Sequence, residues 1–170
     1  MTLGLIADTH SYLDPKIAGY FLNCDEILHA GDIGSLAVLE SLQDLKPTLA
    51  VYGNIDGVEI RNCCPQDLWL EREGFCILMT HIAGKPGRYN SRVRSMLQSK
   101  VPDILICGHS HILKVMKDPG YDNLLFINPG AAGRQGLHHQ KTVIRLNLQK
   151  GKITNLEVIE LGKRGSIGPD

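Results

Sequence analysis

The 170-residue chain contains no uninterrupted apolar run near 18 residues, so no segment reads as a membrane-spanning helix. It has no C-x-x-C pair. Its five cysteines, at positions 24, 63, 64, 76 and 107, are odd in number, which argues against both a disulfide framework and a thiolate zinc site. Cys76 and Cys107 lie inside apolar stretches and read as small buried hydrophobes. There is no charge excess either, with 18 Lys plus Arg against 18 Asp plus Glu. Nothing therefore steers the protein onto nucleic acid or an anionic membrane, and a nuclease of long polymers would ordinarily be more basic. The N-terminus lacks a charged lead before its few apolar residues, so an unexported, cytoplasmic protein is expected. Repeats, low-complexity tracts and linkers are also missing. Residues 1–170 read as a single domain, long enough to bury roughly 70% of the surface its unfolded chain exposes and to fold without a metal or a disulfide.

What is present is a series of short runs rich in Leu, Ile and Val, at 3–7, 26–30, 49–52, 75–80, 103–107 and 124–128, whose length and β-branching predict strands. Helices are predicted over 15–23, with Asp14 as cap and Pro15 in the first turn, over 35–45, opening on Ser35, and over 90–99. The early alternation of strand and helix implies right-handed parallel βαβ units. Residues 142–148 and 153–160 alternate apolar and polar side chains on either side of a short polar link, as a hairpin does. The sum is an α+β protein with two sheets and helices outside them.

The strand ends carry the chemistry. The first delivers Asp8 and His10, the second Gly31 and Asp32, the third Gly53 and Asn54, the fourth His81, and the fifth Gly108, His109 and His111. Residues two apart in extended chain point the same way, so His109 and His111 should face one spot. The glycines before three of these ligands should let the backbone turn sharply and come close to whatever is bound. A lone histidine at a strand end is more often a structural hydrogen-bonding group, and a lone Gly-Asn is more often a turn. Seven metal-competent side chains at consecutive strand ends have no comparable structural explanation, and such ends are where open sheets build sites. His29 reads as a core or supporting imidazole, and His138 and His139 as solvated.

In this order, D-x-H, G-D, G-N, a lone His and G-H-x-H, the pattern resembles the calcineurin-like metallophosphoesterases. The compact length and the stretch over 127–136 resemble the small bacterial and archaeal phosphodiesterase branch, which shares its fold with a retromer subunit. The resemblance implies a four-layer αββα sandwich of two mixed sheets. It also implies a two-metal centre, with Asp8, His10, Asp32 and His111 on one ion, Asp32, Asn54, His81 and His109 on the other, and Asp32 bridging. Seven ligands exceed what one transition ion accepts while keeping an open position, and a nitrogen-oxygen set without thiolate suits manganese, iron, nickel or zinc, with manganese favoured.

The expected activity is hydrolysis of a small phosphodiester by in-line attack of a hydroxide held between the ions, with Asp32, Asn54 and His109 as the catalytic set. Arg88, Arg92 and Arg134 are candidate phosphate contacts. Many relatives carry a histidine after the G-N asparagine to serve the leaving group, and here that place is Ile55. Relatives often pair, so a homodimer or homotetramer is expected. The alternatives are a non-catalytic scaffold, which missing ligands would favour and none is missing, and another binuclear hydrolase, which would want an early H-x-H.

Overall fold

The computed structural model describes residues 1–121 and 124–165. The chain opens with strand β1 (Thr2–Ile6), helix α1 (Lys16–Phe21), β2 (Glu26–His29), α2 (Leu36–Leu45) and β3 (Thr48–Ala50), the expected alternation. A short helix α3 (Val58–Cys63) leads to β4 (Asp67–Arg72), β5 (Phe75–Thr80) and a small hairpin of β6 (Gly84–Lys85) and β7 (Arg88–Tyr89). Then come α4 (Ser91–Ser99), β8 (Ile104–Ile106), β9 (Lys114–Lys117), β10 (Leu125–Asn128) and the long hairpin of β11 (Gln140–Gln149) and β12 (Lys152–Lys163).

Two five-stranded sheets result, in the orders β12-β11-β1-β2-β3 and β4-β5-β8-β10-β9. Both are mixed: β1, β2 and β3 run parallel, as do β5, β8 and β10, while the remaining pairs are antiparallel. Side-chain alternation assigns the layers. Leu3, Leu5 and Ala7 of the first sheet share one buried cluster with Ile77, Met79, Ile104 and Ile106 of the second, so this face is the interface between the sheets. Ile6 turns the other way and packs with Ile17, Phe21, Val38, Leu42 and Ile60 beneath α1, α2 and α3. Leu78 and Leu105 turn outward against Val93 and Leu97 of α4. Helices, sheet, sheet, helix is the four-layer αββα sandwich expected, with three apolar seams.

The hairpin link is Lys150 and Gly151, at φ 45° and 74°, the positive pair that a tight two-residue turn requires. Asp14 does accept from the amide of Lys16 at 3.1 Å, but its other oxygen takes the buried ammonium of Lys141 at 2.5 Å, tying β11 to the start of α1. Arg72 on β4 grips Glu26 on β2 through two hydrogen bonds of 2.8 and 2.9 Å, so an ion pair clamps one sheet to the other. Among the described residues, no helix is long and apolar enough to cross a membrane.

Candidate metal centre

The seven candidate ligands lie just beyond the carboxyl ends of β1, β2, β3, β5 and β8, all members of parallel strand sets. Backbone hydrogen bonds lash their loops together. Asp8 donates to the carbonyl of Gly31, His10 to Asp32 and Gly108 to His81, each at 3.0 Å. The amide of His109 donates to both oxygens of Asp8 at 3.1 Å, joining the two sheets at the site itself. Asp8, His10, Asp32, His109 and His111 adopt φ between 48° and 69°, the left-handed region. A non-glycine residue there costs roughly 1 kcal/mol, least for Asp, so the loops are held against their local preference to aim these side chains.

The ligand atoms form two triads. Asp8, His10 and His111 offer atoms within 4.8 Å of one another, and so do Asp32, His81 and His109. The Nε2 atoms of His10 and His111 stand 3.2 Å apart, and Nε2 of His111 is 3.4 Å from Oδ1 of Asp8. Around an ion with bonds near 2.0–2.1 Å, adjacent donors sit about 3.0–3.4 Å apart, so these separations are edges of a coordination shell. Asp32 faces both triads: Oδ1 is 3.1 Å from Nε2 of His81, and Oδ2 is 3.8 Å from Nε2 of His10. Asn54 completes the second group, its Oδ1 lying 3.1 Å from Nε2 of His81.

His81 shows why a cation fits. Its Nδ1 lies 2.8 Å from the carbonyl of Ala30, which accepts a proton and therefore fixes Nδ1 as the protonated nitrogen. Nε2 then faces two oxygens, those of Asp32 and Asn54, and that meeting is favourable when a positive charge stands there, either a proton on Nε2 or a metal ion. Burial resists charge on His81, but Asp32 and Asp8 outweigh it and hold the pKa above that of a free imidazole. Asp32 is shifted down despite its burial, by His81 above all. His111 is raised by its bond to Asp8, and His109 is lowered by burial and by His81.

Gly31, at φ 91°, makes the sharp turn expected of it, but the other two glycines before ligands do a different job. Gly53 and Gly108 are not in the left-handed region. A Cβ on Gly53 would fall 2.0 Å from Oδ1 of Asp32, one on Gly31 would fall 2.6 Å from Nδ1 of His81, and one on Gly108 would fall 3.0 Å from Oδ2 of Asp8. Each glycine before a ligand thus leaves room for a ligand from another strand.

Three supporting residues surround the centre. Asp56, which the sequence reading passed over, is buried and accepts backbone N–H groups from Ile33 at 3.2 Å and from Gly34 and Gly53 at 2.7 Å, binding the Asp32 loop to the Asn54 loop. Its only sequence signal is its place two residues after Asn54. His29 is fully buried, as expected of a supporting imidazole; it accepts from the amide of Gly31 and meets the hydroxyl of Thr9 at 3.0 Å, and burial lowers its pKa to about 4. It is therefore neutral. His138 is not solvated: its ring packs edge-on against His111 with centroids 5.2 Å apart, and its Nδ1 is buried without a hydrogen-bond partner. The polar stretch around it hid this, because only the folded loop brings it back over the site.

The arginines differ among themselves. Arg92 is bound to Asp67, Thr80 and the carbonyl of Ile82 beside a cavity of about 190 Å³ that includes Asn54 and His81. Arg134 stacks 3.9 Å over the ring of Tyr12 and donates to its hydroxyl. Arg88 lines a larger cavity, of about 570 Å³, beside His109.

Known proteins share this arrangement of fold. A probable metallophosphoesterase of Methanothermobacter thermautotrophicus is 30% identical over 141 residues, spanning 77% of this chain and 77% of that protein. A phosphodiesterase of Methanocaldococcus jannaschii is 28% identical over 147 residues, spanning 76% and 83%. Among solved structures, a novel archaeal phosphodiesterase superposes with a TM-score of 0.74 at 25% identity, covering 94% of this chain and 99% of the other. Zinc-bound Vps29 of Entamoeba histolytica has the same fold, with a TM-score of 0.69 at 19% identity over 95% and 100% of the two chains. The family model for the calcineurin-like phosphoesterase superfamily domain matches residues 1–151, and the chain belongs to that superfamily.

Proposed function

We propose that this protein is a phosphodiesterase working with two divalent transition ions, one at Asp8, His10, Asp32 and His111, the other at Asp32, Asn54, His81 and His109. The observation that carries this reading is the Asp32 carboxylate, whose two oxygens face different triads. Ions held there supply the Lewis acidity that activates water and draws charge off phosphoryl oxygens. Asp8 and Asp32 offset only two of their four positive charges, and the neutral amide of Asn54 offsets none, so the loaded site keeps a surplus that attracts an anion. His109 is the exposed member of its triad, which supports assigning it to the face of the centre that meets the substrate. The test is hydrolysis of bis(p-nitrophenyl) phosphate with added manganese. Wild type should turn it over, and His109→Ala should reduce the rate at least about 10²-fold while remaining folded. Equal rates in the two proteins would point to a contaminant and to a scaffold.

Ile55 adds a second expectation. Its backbone N–H donates to Oδ1 of Asp32 at 3.1 Å, and its side chain, 47% exposed, has no proton to give. A positioned general acid contributes about 10²- to 10⁴-fold, so its lack should make log kcat fall steeply as leaving-group pKa rises across a series of substituted phenyl diesters. The slope should ease in Ile55→His. A flat plot in wild type, with chemistry rate-limiting, would place a general acid elsewhere.

A further inference from the structure

The two cavities beside His81 and His109 are unequal in size and in charge. The smaller, near Asn54, has Arg61 and Arg92 in its wall, but both guanidinium groups are already engaged: Arg92 with Asp67, and Arg61 with the carbonyl of Asp56 at 2.7 Å and the ring of Tyr52. The larger, beside His109, is bounded by Lys85 and Arg88 on the β6–β7 hairpin and by Lys114 at the start of β9. None of these three cations makes an ion pair among the described residues, and the cavity lining includes no carboxylate. Lys85 and Arg88 are exposed and Lys114 is half-buried, so their charges are solvated and open to a ligand, whereas Lys141, Arg72 and Arg145 are taken up by Asp14, Glu26 and Glu157. Three cations in the lining of one concavity, with no carboxylate among them, give it a positive potential that favours an anion. The walls between them, Ile82, Ala83 and Ile112, are apolar, and the amide of Asn128 is spent on Gly108 and Ser110. The charge is therefore the cavity's recognition element.

We propose that this cavity receives a second anionic group of the substrate, so that the enzyme acts on unsymmetrical phosphodiesters in which one arm carries a further phosphate. The proposal rests on the phosphodiesterase reading of the centre and adds its specificity. The larger arm, with its terminal phosphate, lies over His109 between Lys85, Arg88 and Lys114. The smaller arm points toward Asn54, where about 190 Å³ and engaged arginines suit a compact group without extra charge. Two charge-assisted contacts to a phosphate account for a preference of about ten-fold or more, weakening as salt rises.

The test compares two thymidine dinucleotides that differ only in a 5′-phosphate, pTpT and TpT, as competitive inhibitors of bis(p-nitrophenyl) phosphate hydrolysis by the manganese-loaded protein. This readout works whether or not either dinucleotide is cleaved. pTpT should inhibit at least about ten-fold more strongly, and combining Lys85→Ala, Arg88→Ala and Lys114→Ala should bring the ratio within about two-fold. Equal inhibition by the two in wild type overturns the proposal, and so does a preference that survives in the triple variant, since the phosphate would then be bound at the metals. The wild-type comparison decides by itself if the variant does not fold. If wild type does not hydrolyse bis(p-nitrophenyl) phosphate at all, the phosphodiesterase reading has failed. The same ratio is then read from equilibrium binding of the two dinucleotides, and it supports or sinks the anion site independently.

Discussion

Asp32→Asn should empty both halves of the centre at once. Wild type prepared with excess manganese should hold two ions per chain by elemental analysis, whereas the variant should hold little of either. Hydrolysis of bis(p-nitrophenyl) phosphate should fall on the order of 10³-fold. The substitution isolates the charge, because asparagine matches aspartate in shape and tolerates the left-handed φ of 54° found at this position. It also keeps an oxygen that can accept from the amide of Ile55. Asn54→Ala should behave differently, weakening only the second position, since Asn54 meets His81 and neither His10 nor His111. A wild type that retains at most one tightly bound ion under metal-replete conditions would refute the shared carboxylate. So would an Asp32→Asn variant that keeps one full equivalent.

Gly53→Ala should be strongly damaging to the site, and Gly19→Ala should act in the opposite direction. At Gly53 the new Cβ would stand 2.0 Å from Oδ1 of Asp32 and 2.3 Å from its backbone nitrogen. Neither atom can yield, because the loop that carries them is tied to Asp56 and to the β1 loop. Overpacking a rigid site costs about 1–3 kcal/mol or more, and denaturant titration should read the upper end, with hydrolysis lost as Asp32 is displaced. At Gly19, exposed on α1, an added Cβ meets nothing within 4 Å, and alanine should stabilise by about 0.5–1 kcal/mol through helix propensity. Loss of less than about 1 kcal/mol at Gly53, with activity kept, would show that the two loops can part without consequence.

The strands that bear ligands were legible because each is an apolar run that stops at a polar residue, and in β1, β2 and β8 burial on both faces leaves little ambiguity. The elements missed are those that lie at edges or are small. β4 reads Asp-Leu-Trp-Leu-Glu-Arg and β9 reads Lys-Val-Met-Lys, half-exposed edge strands with too few apolar residues to stand out from a loop. The β6–β7 hairpin is two residues a side, held by register rather than by composition. At the site, the types and order of the candidate ligands could be read along the chain. What could not be read were the roles that depend on a second strand: glycines that clear space for a neighbour's ligand, Asp56 joining two loops, His138 folded back onto His111. Arg92 and Arg134 look like Arg88 in sequence, and only their partners, Asp67 and Tyr12, distinguish them.

The left-handed backbone at Asp8, His10, Asp32, His109 and His111 has a consequence for descent. These loops hold the candidate ligands in left-handed backbone, while the three apolar seams that hold the sandwich together lie elsewhere. A lineage released from selection for hydrolysis can replace any of the five with glycine, relax the loop and keep its core intact. Drift then runs toward ligand loss. Inactive cousins with the same sandwich should accordingly arise readily and repeatedly, and the ligands that vanish first should be those in left-handed positions, with Asn54 and His81 outlasting them.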